Sequence, residues 1–357
     1  MISIQDSTQD YCAETGKFIW TLKDLNNYAV NLVPQIREKE SMALHTTFKL
    51  GGPADLFFEP TCEDDLIQIL DVCRHQRIPV TLIGRGSNLV VSDRGIRGMV
   101  VALNDRFSNI RMYRPKELLQ SSWNEVLGEE AIRGDVYYIY VESGKSIADL
   151  SKEFANQGLA GLSFACGIPG TVGGAIFMNA GAYGASIEDV VIATRYLDEN
   201  LNLQTCIGSH HNFGYRHSVF RDNNYVILGT LFMLHHSDPG LLLSEIADFT
   251  NRREKTQPLD EPSGGSVFKR PVGNYTGKLI TEAGLKGYRV GGAVVSEKHA
   301  GFIVNRGNAK AMDVVELVHH IQRTIMAQNN IQLETELRFI GDYLPEELAL
   351  IGSRAPE

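Results

Sequence analysis

The stretch Pro262–Pro271, PSGGSVFKRP, sets Ser266 behind two glycines and ahead of Lys269 and Arg270. Three uses are open to that serine. Paired glycines supply the backbone freedom of a tight turn, the commonest role for such a pattern. An acyl-transfer nucleophile is a second use, but the nucleophile elbow needs a glycine two residues later, where this chain has Phe268. In the third, the glycines let backbone approach a ligand closely while Lys269 and Arg270 meet its negative charge.

Two glycine-rich loops in the first half point to a phosphorylated ligand. GRGSN, Gly84–Asn88, follows an apolar run and offers successive backbone N–H groups with little side-chain obstruction, which suits a pyrophosphate. The sixth position is Leu89, so the dinucleotide fingerprint GxGxxG is absent. The second loop, ACGIPGTVGGAIFMNAGAYG, spends much backbone entropy in one place, which close approach to a large flat or phosphorylated ligand explains. Gly144–Ser146 reads GKS, but the phosphate loop's first glycine would fall on Ile139, so that reading is rejected.

Other chemistry-bearing residues have plainer readings. His319 and His320 are adjacent on one helical pattern and do not face one direction, which favours surface or interface positions over a metal site. The five cysteines form no CxxC pair and no zinc spacing, and an odd number without a secretory signal argues for reduced thiols. Cys166, within the second glycine loop, reads as a small buried apolar residue.

The elements that must position these residues follow from periodicity. Thr61 and Asp64 have capping-box spacing ahead of a helix over 63–77, on which Leu66, Ile69, Leu70 and Cys73 recur. IPVTLIG and GMVVAL read as strands around GRGSN, giving strand, helix, strand order. Residues 104–135 have mixed charge and poor periodicity and read as an insertion or an elaborated hairpin. Ser146 caps a helix bearing Ile147, Leu150 and Phe154, and further helices are expected over Leu241–Glu254 and Ala311–Ala327. QLETELRFI alternates as a strand, with Leu333, Leu337 and Phe339 on a core face and Glu334, Glu336 and Arg338 on the other.

At 357 residues the chain suggests two domains, and 43% apolar with 22% charged residues is the composition of a soluble globular protein. No apolar run reaches membrane-span length, and the N-terminus lacks a secretory layout, so a cytoplasmic location is expected. The net charge of −9 argues against a nucleic-acid partner.

Six blocks, GRGSNLVVSD, GIPGTVGGAIFMNAGAYG, FGYRHSVF, PSGGSVFKRP, GKLITEAGLKGYRVGGAVVSEKHAGFIVN and LETELRFIG, occur in order over about residues 45–341. Together they closely resemble the UDP-N-acetylenolpyruvoylglucosamine reductases. The resemblance implies an α+β fold with an FAD-binding region of the vanillyl-alcohol-oxidase type over 41–235, carrying the 104–135 insertion. It places a smaller α+β substrate-binding domain over 236–345, between an N-terminal extension, 1–40, and a tail, 346–357. It also implies bound FAD, NADPH as hydride donor and UDP-N-acetylglucosamine enolpyruvate as the small-molecule substrate, with no metal.

By position within these blocks, Gly84, Arg85, Gly86, Ser87, Asn88 and Leu89 would hold the FAD pyrophosphate. Gly167, Ile168, Pro169, Gly170, Gly173, Gly174, Asn179, Gly181, Ala182 and Tyr183 would line the flavin. Arg216, Ser266 and Glu336 fall on the family's catalytic positions, with Ser266 as proton donor and Arg216 and Glu336 stabilising the intermediate. Lys269, Arg270 and Arg338 are candidate substrate ligands, and His299 is either a further ligand or a satisfied structural histidine. Only fifty positions separate Arg216 from Ser266, which resembles the shorter branch of the family, without its tyrosine-bearing insertion.

Overall fold

The computed structural model describes residues 11–12, 17–25, 32–128, 136–350 and 352. Parts of the expected N-terminal extension, of the 104–135 insertion and of the C-terminal tail lie outside them.

The first sheet is built around the predicted strand, helix, strand unit. Strand β1, Arg37–Ser41, runs antiparallel to β2, Pro53–Phe58. Helix α1, Glu63–Gln76, then crosses to β3, Val80–Ile83; β4, Leu89–Val91, follows GRGSN, and β5, Ile96–Ala102, lies between β2 and β3, parallel to both. The helix cap is one residue off the expected pairing: Thr61 Oγ1 donates to Asp65, not Asp64, across 2.7 Å. Asp64 falls one position short because the helix starts after Cys62.

The elaborated-hairpin reading of 104–135 describes what is seen there. Strand β6, Ile110–Tyr113, pairs antiparallel with β7, Val136–Glu142, and short helices α2, Pro115–Leu119, and α3, Ser122–Leu127, stand between them. Trp123 and Leu118 are buried against this sheet in one cluster with Tyr138, Ala193 and Leu231. Helix α4, Ile147–Asn156, is capped by Ser146, whose Oγ accepts from the Asp149 amide. After α5, Val172–Met178, strands β8, Val191–Leu197, β9, Leu203–Ile207, and β10, Val226–His236, complete an antiparallel sheet ordered β9-β8-β10-β7-β6.

The division expected between residues 235 and 236 falls at the end of β10. Helix α6, Pro239–Thr256, is capped by Asp238 and buries Leu242 and Ile246 against Ala155 and Cys166 of the first region. The C-terminal region begins after it. There β11, Ser263–Ser266, helix α7, Thr276–Glu282, and strands β12, Ala293–Val295, and β13, Phe302–Asn305, support helix α8, Ala311–Asn329. Val314, Leu317, Val318, Ile321 and Ile325 form a buried stripe on it, while His320 stacks on Tyr288 and His319 meets the Leu350 carbonyl.

QLETELRFI keeps its alternation of burial but is not one strand. Only β14, Arg338–Ile340, is in a sheet, parallel to β4, whereas Glu334 and Glu336 bond the backbone of Lys269 and Val267. The segment changes partner midway because it bridges both regions. Phe48, Leu50 and Val90 enter the same core as α8, so the two regions share apolar contacts at this seam.

Candidate active site

The GRGSN loop is a backbone nest. Gly86 has φ +62°, and a Cβ there would lie 2.1 Å from the His45 carbonyl oxygen, so only glycine fits. Among the described residues, the amides of Arg85, Gly86, Ser87 and Asn88 donate no hydrogen bond within the protein. Four successive free N–H groups favour an anion, and a pyrophosphate fits that donor set. The Arg85 side chain turns away to Asp105, with both contacts at 2.9 Å. Leu89 opens β4 and pairs with Arg338.

The second glycine loop closes on the first. A Cβ on Gly170 would be 3.5 Å from Ser87 Oγ, and one on Gly84 would be 2.5 Å from Thr171 Oγ1. Ile168 and Pro169 complete the loop before α5, where Gly173 packs on Ser143 and the Gly174 amide bonds Thr171 Oγ1. Asn179 caps α5 in the left-handed conformation, and its buried side chain donates to the Gly214 carbonyl across 3.0 Å. It therefore acts as a strut between the glycine loop and the Arg216 turn. Gly181 and Ala182 form a short hairpin whose tip is Tyr183, at φ +56°. The Tyr183 ring stacks on Phe249 at 4.0 Å, and its hydroxyl donates to the Phe249 carbonyl.

Arg216 sits in a tight turn closed by reciprocal backbone bonds between Gly214 and His217. Its φ is +55°, which is costly for a residue with a Cβ and is held by the surrounding structure. Its Nε donates to Glu336 Oε1 across 2.5 Å. Glu336 is itself fixed by backbone: its amide donates to Val267 O, and its carbonyl accepts from Asn88 Nδ2 at 3.0 Å. Through that bond the nest and the carboxylate are adjacent.

Ser266 ends a strand, β11, rather than lying in a free loop. Ser263 pairs with Val304 and Ser266 with Phe302, so three steps on one strand oppose two on the other. This is a bulge, and Gly265, at φ +84° with open space around its missing Cβ, permits it. The bulge re-aims Ser266, whose hydroxyl donates a 3.3 Å bond to Phe268 O. Arg216, Ser266 and Glu336 all line one cleft of about 580 Å³.

The lining of that cleft carries more cations than carboxylates despite the net negative chain. Its walls carry Arg216, Arg270, Lys278, Lys286 and Lys298 against the carboxylates of Glu282 and Glu336. Arg270 lies on the rim with its guanidinium 3.9 Å from the Tyr275 ring centre. His299 also lines the cleft, and its Nδ1 accepts from the Gly301 amide at 3.1 Å, which leaves Nε2 to carry the proton. Burial, with Lys286 nearby, pushes the imidazole below its usual range, so it is a neutral donor.

Two expected ligands are elsewhere. Lys269 does not line the cleft; Nζ is 2.9 Å from Glu334 because the backbone pairing of 267–269 with 334–336 brings those side chains together. Arg338 lies in β14 with its guanidinium 4.7 Å from the Phe177 ring centre on α5, toward the glycine loop. Conversely, Lys278, Lys286, Lys298 and Tyr275 were not singled out from the sequence. They lie in or just before a glycine-rich block, but no spacing there marks which lysines face inward.

Among the described residues no group of His, Cys, Asp or Glu could hold a metal, and no helix is long and apolar enough to cross a membrane. Cys166 is buried as expected.

Comparison with known proteins adds to this geometry. Residues 257–340 match the family model for the C-terminal domain of UDP-N-acetylenolpyruvoylglucosamine reductase, beginning immediately beyond α6, and residues 54–207 match an FAD-binding domain family. The chain is 39% identical over 300 residues to the UDP-N-acetylenolpyruvoylglucosamine reductase of Clostridium perfringens, covering 84% of this chain and 91% of that one. It is 40% identical over 303 residues to the same-named protein of Caldanaerobacter subterraneus subsp. tengcongensis, at 85% and 93% coverage. A crystal structure of the Thermus caldophilus reductase of this name matches with a TM-score of 0.68 and 30% identity, over 85% of this chain and 99% of its own.

Proposed function

Because this chain belongs to the UDP-N-acetylenolpyruvoylglucosamine reductase family, we propose that it reduces UDP-N-acetylglucosamine enolpyruvate to UDP-N-acetylmuramate for peptidoglycan synthesis, using NADPH. It is an FAD-dependent oxidoreductase. Bound FAD would supply the hydride-transfer chemistry that links NADPH to C3 of the enolpyruvyl group. The residues of this chain then handle the charge and the proton.

Hydride arrival at C3 leaves negative charge on C2 and the adjoining carboxylate. Arg216 binds that carboxylate as a cation, and Glu336 holds the guanidinium in place through the Nε bond. Ser266 delivers its hydroxyl proton to C2 and is reprotonated from solvent. Its resting bond to Phe268 O is long, so the hydroxyl can rotate into the cleft at little cost. Arg270, Lys278, Lys286 and Lys298 supply the field for the diphosphate, and His299 offers a neutral N–H. Arg85–Asn88 would hold the FAD pyrophosphate through their free amides.

The observation that carries this reading is the convergence of Arg216, Ser266 and Glu336 on one cation-rich cleft, with Glu336 bonded to the nest through Asn88. Separate half-reactions test it. In Ser266→Ala, flavin reduction by NADPH should persist while reoxidation by the enolpyruvyl substrate falls about 10²–10⁴-fold. Equal loss in both halves would rule out the proton-donor role.

A further inference from the structure

Helix α6 carries a cation that no described group neutralises. Leu242, Ile246, Phe249 and Arg253 recur at spacings of four, three and four and form one stripe toward the first region. Leu242 and Ile246 pack on Cys166, Phe249 stacks on Tyr183, and Arg253 lies against Gly167. A Cβ on Gly167 would be 2.5 Å from Arg253 Cδ and 2.7 Å from Nε, so glycine is what lets the guanidinium reach this loop.

The Arg253 Nε is buried and has no hydrogen-bond partner. Among the described residues no carboxylate pairs with this arginine; its ionisable neighbours are the Tyr183 phenol and the Cys166 thiol. Burial pushes both of those upward, so both are neutral at ordinary pH and offer no counter-charge. A desolvated cation beside neutral groups disfavours the folded state unless a ligand offsets it. Such uncompensated groups concentrate at functional sites.

We propose that Arg253 is a flavin-binding residue, its guanidinium meeting the electron-rich carbonyl edge of the ring seated on Gly167–Gly170. There it offsets the negative charge that this edge gains on reduction. The pyrophosphate is the less suitable partner, because the four free amides that fit it belong to the other loop. The inference rests on FAD being the cofactor and adds a role for a helix outside both matched domain segments.

The test uses the full chain with FAD, comparing Arg253→Met, which keeps most of the stem, with Arg253→Lys, which keeps the charge. Arg253→Gln replaces the methionine variant if that one does not fold. Loss of the charge should weaken FAD about tenfold or more. The preference for reduced over oxidised flavin should fall about tenfold, which lowers the two-electron midpoint potential by about 30 mV. Sulfite, titrated against the bound oxidised flavin, should bind correspondingly more weakly, while Arg253→Lys stays near wild type in both readouts. The flavin-free neutral variant should melt no lower than flavin-free wild type, since a partly desolvated cation with no described counter-charge has been removed. Unchanged potential and sulfite affinity in a folded neutral variant would overturn the proposal, as would a lower flavin-free melt with unchanged FAD affinity. A wild-type chain that binds no FAD would instead overturn the cofactor reading itself.

Discussion

Arg216 and Glu336, 120 positions apart in sequence, are joined by a 2.5 Å bond from Nε to Oε1, and the arginine makes it from a left-handed backbone. The guanidinium has its Nε committed to Glu336, which orients the terminal nitrogens for a planar anion. Lysine keeps the charge but has neither the fork nor the Nε donor. Arg216→Lys should therefore slow flavin reoxidation by the enolpyruvyl substrate by about 10²–10³-fold. Stopped-flow absorbance of the flavin measures this directly, and a rate within a factor of a few of wild type would contradict the assignment.

Gly265 should matter more to activity than to stability. Alanine at φ +84° costs about 1–2 kcal/mol, and an expected drop in Tm of about 2–4 °C for each kcal/mol follows. The larger effect should fall on turnover, because relief of the strain through the bulge re-aims Ser266. Gly265→Ala with normal kcat and a lowered Tm would show that the bulge does not position the serine.

The lysines of the cleft are expected to act in binding rather than in chemistry. Lys286→Ala and Lys298→Ala should raise KM for the enolpyruvyl sugar nucleotide severalfold and leave kcat nearly unchanged, the signature of interactions made equally in ground and transition states. Wild-type KM should also rise with ionic strength more steeply than that of the double variant. A fall in kcat with constant KM would place these residues in the chemical step instead.

One buried and one half-buried histidine, His211 and His299, set a pH dependence. Burial holds His299 and His211 below the ordinary histidine value of about 6.5. The unfolded chain therefore takes up protons that the folded chain refuses. Their contribution to stability is fully present above about pH 6.5 and is lost as pH falls through and below that value. Urea midpoints measured from pH 7.5 to 5.5 should decline, and His299→Gln should decline less. The same variant keeps a neutral N–H donor, so its KM at pH 7.5 should stay close to wild type.

Most of the regular structure was legible locally. The stripes of α1, α4 and α8 follow from apolar spacing, and the strand, helix, strand unit around GRGSN follows from composition. The misreadings have a common cause. Thr61 bonds Asp65 rather than Asp64 because Cys62, not Thr61, stands at the helix N-cap. QLETELRFI breaks its strand because half of it pairs with 267–269 and half with β4. Helix α6 is amphipathic in either domain assignment, and tertiary contacts with Ala155, Cys166, Tyr183 and Gly167 are what place it on the first region.

What the sequence determined by itself was the stock of chemical groups, the local elements and an order of motifs specific enough to identify a family. What only the tertiary structure decided was where those groups point. Lys269 and Arg270 are neighbours in the chain, yet one is paired with Glu334 and the other stands on the cleft rim. Arg338 faces Phe177, Asn179 braces Gly214, and Arg253 meets Gly167 from 86 positions away. A side chain's rotamers differ locally by about 1 kcal/mol, so the decisive energies come from long-range contacts that local pattern cannot contain. Asn88 and Glu336 are the clearest case, 248 positions apart and joined by a single 3.0 Å bond that sets the nest beside Glu336.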